Sequence, residues 1–138
     1  MRLINLNLEG DGRVPEGAIY IGRAHAGRRL AASPFANPFP LQNRSDDEER
    51  RVILDRYRDW LWEEIKANRI TVTDLQRLDG HDLACFCAPQ LCHGMVVQKA
   101  VEWARDKTPG SCWRDHPNPL VAPRVRTLSD WLSVGPKR

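Results

Sequence analysis

Apolar and polar positions divide this chain into a few short, separable elements. Leu3-Ile4-Asn5-Leu6-Asn7-Leu8 alternates in the manner of a strand buried on one face. Glu9-Gly10-Asp11-Gly12 breaks it with turn chemistry, and Ala18-Ile19-Tyr20-Ile21 follows as a second strand that stops at Gly22-Arg23. Ser45-Asp46-Asp47-Glu48 has the form of a capping box and predicts a helix start. Val52, Ile53, Tyr57, Trp60, Leu61 and Ile65 form the apolar stripe of that helix, and Asn68 is its stop. A short helix is expected within 70–78, capped by Thr73, and Asp79-Gly80 then turns the chain into a third strand from Asp82 to Cys87. From Cys92 or His93 to about Asp106, Met95, Val96, Val97, Ala100, Val101 and Ala104 recur at helical spacing.

Strands alternating with helices predict an α/β fold. The expected architecture is a small, mostly parallel sheet flanked by helices, Rossmann-like, in a single domain over 1–106. Beyond it, 107–138 carries Pro109, Pro117, Pro119, Pro123 and Pro136, which exclude long regular elements. This extension is expected to pack on the domain through Trp113 and Trp131, with one short helix at Thr127–Leu132. A chain of 138 residues suffices for one core. There is no internal repeat, and neither a dinucleotide nor a P-loop fingerprint follows the second strand.

Charge adds a little. The net charge is +3, with seven basic and three acidic residues from Arg105 to Arg138 against six and eight from Asn43 to Ala67. The basic tail offers a contact for nucleic acid or an acidic partner, although solvated surface charge is the simpler explanation. No run is apolar enough for a bilayer and the first residues lack a signal-peptide core, so the expectation is a cytoplasmic protein with no membrane partner. Four cysteines at this spacing do not resemble a secreted disulfide framework.

The chemistry gathers between Cys85 and Gly94, where three cysteines and a histidine fall within nine residues. A strand–loop–helix unit aims backbone N–H groups and the positive end of a helix dipole at its ligand, and that field favours a thiolate at the helix start. Three readings stand side by side. Cys85, Cys87, Cys92 and His93 suit zinc by ligand type, though four ligands in nine residues make a cramped tetrahedron. Alternatively, Cys92 is a reactive thiol with His93 as proton acceptor, both then catalytic. In the third reading the cysteines are buried packing and only the loop N–H groups act. Gly94 is expected to leave open space beside the sulfur.

The second strand ends at a comparable position. Gly22 would allow close approach of a ligand, and Arg23 sits where open α/β sheets bind anions, or else pairs with the acidic helix. Asn37 of Asn37-Pro38-Phe39 would orient the ligand, or belong to a turn anchored by Phe39. Gly22, Arg23, Asn37, Cys87 and Gly94 are thus the candidate binding residues, facing Cys92 and His93. The expected ligand is a phosphate-bearing small molecule such as a nucleotide. The competing class is a zinc-stabilised module that docks on nucleic acid or a host protein.

Tyr20-Ile21-Gly22-Arg23, Asn37-Pro38-Phe39, a helix bearing Tyr57 and Trp60-Leu61, and Leu83-Ala84-Cys85-Phe86-Cys87 with Cys92-His93-Gly94 together resemble the domain-of-unknown-function family 4326 of bacteria and phages. The similarity spans about 19–101 and implies the fold and the position of the site, without a reaction. The strand-to-helix junction also resembles a second uncharacterised family that has Cys-His-Arg where this chain has Cys92-His93-Gly94.

Overall fold

The computed structural model describes residues 1–8, 13–40, 42, 46–86 and 92–120. Three short strands, β1 (Leu3–Asn5), β2 (Ala18–Tyr20) and β3 (Asp82–Cys85), form a parallel sheet in the order β1-β3-β2. β3 therefore inserts between two strands that precede it by more than sixty residues. Backbone bonds from Leu6 N to the Cys85 carbonyl and from Ile21 N to the Ala84 carbonyl continue the pairing one step past β1 and β2. The helices are α1 (Asp47–Lys66), α2 (Val72–Gln76) and α3 (His93–Ala104), with a 3₁₀ turn at Ala26–Arg28. The fold is α/β, as the alternation of elements predicts.

Alternation along the strands sends side chains to two unequal layers. Leu83 and Cys85 join Leu54, Tyr57, Leu61, Leu75, Val97 and Val101 in the main core, which all three helices share. Ala84 falls in a smaller cluster with Ile4 and Leu6, flanked by Tyr20, Leu30 and Phe86. That second layer comes from loops, with the Arg28 guanidinium 5.0 Å from the Phe86 ring centre and bonded to the Leu6 carbonyl. Helices thus pack on one face of the sheet.

Several boundaries differ from the sequence expectation. β1 ends at Asn5, where a turn begins, and Leu8 is exposed. β3 ends at Cys85, and Cys87 lies outside the described residues. Asp46 is the cap of α1, its carboxylate accepting the N–H groups of Glu48 and Glu49; Ser45 lies outside the described residues. The stripe of α1 also runs differently. Tyr57, Leu61 and Ile65 are buried, joined by Leu54 and Trp62, while Val52 is 49% exposed. Val52 and Leu61 are nine residues apart, two and a half turns, which puts them on opposite faces. Asn68 ends the helix as expected, at φ 61° in the left-handed region that asparagine tolerates.

α2 is capped by Thr71 rather than Thr73: the Thr71 hydroxyl accepts the Asp74 N–H and the Asp74 carboxylate accepts the Thr71 N–H. α3 stops at Ala104. Past it, Trp113 stacks edge-on against Trp103, which stacks on Trp62 of α1, and Leu120 is fully buried in the main core. Pro123, Trp131, Pro136 and the helix expected at Thr127–Leu132 lie outside the described residues. No helix among the described residues is long and apolar enough to cross a membrane.

Candidate functional site

Parallel pairing sets the carboxyl ends of β2 and β3 side by side, and α3 begins against them. Cys92 is the N-cap of α3, and its sulfur accepts the Gly94 N–H at 3.4 Å, so the thiol occupies the place that a Ser or Asp side chain takes in most helices. Cys85, the last residue of β3, brings its sulfur to 3.2 Å from the Cys92 sulfur. The two are 1% and 2% exposed, and no disulfide joins them.

His93 ties this junction to the other strand. Its Nε2 lies 2.8 Å from the carbonyl oxygen of Ile21, just past β2. A carbonyl only accepts, so Nε2 carries the ring proton and Nδ1 of the neutral ring presents a lone pair. Nδ1 stands 3.7 Å from the Cys92 sulfur, within reach of a thiol hydrogen bond. The edge of the ring meets Tyr57 of α1, centroids 5.1 Å apart at 73°. Burial lowers the His93 pKa below 6.5, and the Arg23 charge works in the same direction; the Ile21 carbonyl and Cys85 oppose them without prevailing. The imidazole is therefore a neutral base at neutral pH. Tyr57 is pushed well above 10, first by burial and then by Cys92, so it stays a phenol, donating to the Phe35 carbonyl at 2.6 Å.

Arg23 and Asn37 organise the loop beyond β2. The guanidinium donates from Nε to the Asn37 carbonyl at 2.7 Å and from Nη2 to the Phe39 carbonyl at 2.8 Å. The Asn37 side-chain oxygen accepts the Phe39 N–H at 2.9 Å, an Asx turn that fixes Asn37-Pro38-Phe39. Arg23 does not pair with the acidic residues of α1. Phe35, rather than Phe39, is the loop's buried anchor; Phe39 is half-buried, with the Arg56 guanidinium over its ring at 5.9 Å. The space beside Gly22 holds the Tyr20 ring, whose hydroxyl donates to the Arg23 carbonyl at 2.6 Å.

Gly94 does not leave open space. A Cβ there would stand 2.6 Å from Leu3 Cδ2 and 3.1 Å from Ile21 Cδ1, so the glycine lets α3 approach the strands closely. Among the described residues no group of three or more His, Cys, Asp and Glu is arranged to hold a metal, and Cys87 of the four-ligand set lies outside them. The structure thus brings Cys85, Cys92 and His93 together with Ile21, and places Arg23 near enough for its charge to act on His93. Tyr57 and the Ile21 carbonyl are participants that sequence reasoning did not single out. In the sequence Tyr57 belongs to the apolar stripe and to the family resemblance without a role at the site, and a backbone carbonyl has no sequence signal.

A family model described as Domain of unknown function (DUF4326) matches residues 4–103, from β1 to the last turn of α3. The chain belongs to the DUF4326 family. Every residue of the Cys85–Cys92–His93 cluster, Arg23 and the Asn37 turn lie inside the DUF4326 match, whereas Trp113 and Leu120 lie beyond it. No curated protein and no solved structure matches the chain.

Proposed function

We propose that this DUF4326 domain binds a phosphate-bearing small molecule, a nucleotide or a compound like one, where the end of β2 meets the start of α3. The observation that carries the reading is the His93–Ile21 bond, because it joins two strand-to-loop junctions at neighbouring carboxyl ends of a parallel sheet. Open α/β sheets take their ligands at that place, and N–H groups at a helix start suit an anion. Arg23 supports it with a positive charge held in position by two loop carbonyls, and its Nη1 has no partner among the described residues. In this reading Asn37 and Gly22 shape the β2 side, Gly94 the β3–α3 side, and Cys92 with His93 is the chemically competent pair; Cys87, also expected here from the sequence, lies outside the described residues.

Thermal unfolding in the presence of inorganic phosphate, nucleotides and sugar phosphates tests it. A ligand at a hundred times its dissociation constant should stabilise the wild type by about 2.7 kcal/mol, and Arg23→Ala should lose most of that gain. If no phosphate compound raises the melting temperature, the reading fails. About one zinc per chain, with a melting temperature lowered by chelator, would replace it with the zinc-stabilised module that docks on nucleic acid or a host protein.

A further inference from the structure

We propose that Cys85 and Cys92 are a redox-active dithiol that a hydroperoxide converts to an internal disulfide, Cys92 attacking and Cys85 resolving. This goes beyond ligand binding and does not depend on it. The two sulfurs are 3.2 Å apart, so a shift of about 1.2 Å reaches the covalent distance of about 2.05 Å. One thiol ends a strand and the other caps the following helix, so both sulfurs are held by regular elements at this separation. The groups that favour attack meet Cys92: the His93 Nδ1 lone pair at 3.7 Å receives its proton, and the Gly94 N–H at 3.4 Å supports the sulfur anion.

Burial selects the oxidant. With Cys85 and Cys92 only 1% and 2% exposed, a bulky disulfide cannot align on either sulfur, whereas hydrogen peroxide is close to water in size. The Cys92 sulfur attacks one peroxide oxygen, the O–O bond breaks, and the departing hydroxide takes up the thiol proton as water, leaving a sulfenic acid. The Cys85 sulfur then attacks the sulfenic sulfur, the S–O bond breaks, and the hydroxyl leaves as a second water with the Cys85 proton. One peroxide is reduced to two waters, and the thiol pair is oxidised by two electrons.

The full chain, reduced, desalted into chelator and exposed to hydrogen peroxide, provides the test. Remaining thiols are blocked with iodoacetamide before digestion with chymotrypsin. Cleavage after Phe86 and after Leu91 separates Cys85, Cys87 and Cys92 onto different peptides. Mass spectrometry should find the Cys85 and Cys92 peptides joined and parted again by dithiothreitol, with Cys112 alkylated. The same link should form in Cys87→Ser, which leaves both proposed partners in place. In Cys85→Ala, checked for folding by circular dichroism, dimedone should trap a sulfenic acid on Cys92. A chain that keeps both thiols under peroxide, or one that links Cys87 instead, overturns the proposal.

Discussion

At the scale of the residue, His93 shows how burial and one hydrogen bond assign a role. The Ile21 carbonyl fixes the ring proton on Nε2, and burial keeps the ring from accepting a second. A histidine whose folded pKa lies below its unfolded value binds fewer protons folded than unfolded throughout the window between them. Its stabilising contribution is therefore complete above about pH 6.5 and declines as pH falls through the lowered folded value. Urea midpoints at pH 7.5, 6.5 and 5.5 should fall with acidity in the wild type and fall less in His93→Gln. Parallel profiles for the two proteins would show that His93 is not titrating from a buried, neutral state. The cysteines were legible as a cluster because they are close in sequence. That Cys85 faces Cys92 was not, because it follows from where β3 ends and α3 starts.

Elements depend on caps and on the phase of their apolar face. α2 has only five residues, too few to hold together by its own hydrogen bonds, yet it delivers Val72 and Leu75 to the core. The reciprocal Thr71–Asp74 capping box is what starts it. Thr71→Ala should cost about 1 kcal/mol in chemical denaturation, while Thr73→Ala, removing a hydroxyl with no capping part, should cost less than half as much. Equal losses would show that the helix start is elsewhere. Both threonines fit a start signal in sequence, and only the backbone shows which hydroxyl meets a free N–H. The long helix has a similar history: its existence and stop at Asn68 are written in pattern and turn chemistry, but its buried face turned toward Leu54 and Trp62 once Trp103 of α3 lay opposite.

At the scale of the whole molecule, β3 is the piece that makes one domain out of two chain segments. Leu83 pairs with Leu3 on one side and Ile19 on the other, and its fully buried side chain enters the core that α1, α2 and α3 share. Leu83→Ala should destabilise the domain by about 2–5 kcal/mol through lost burial and the remaining cavity. Tryptophan fluorescence, to which the Trp62–Trp103–Trp113 stack contributes three of five indoles, and far-ultraviolet circular dichroism should then shift together to lower urea. Separated transitions would show that the surroundings of the tryptophans and the backbone structure unfold as different units.

By itself the sequence determined the α/β class, three strands and three helices in order, and the concentration of chemistry from Cys85 to Gly94. Those are properties of local period, turn residues and spacing, which act between near neighbours in the chain. The tertiary structure decided the rest: which strand lies at the centre, that Gly94 is filled by Leu3 and Ile21, that Arg23 holds the Asn37 turn, and that the lone pair of His93 faces Cys92. Each of these depends on residues between 14 and 91 positions apart, the His93 lone pair being set by Ile21 72 positions away, and they are brought together by burial and pairing that no local pattern encodes.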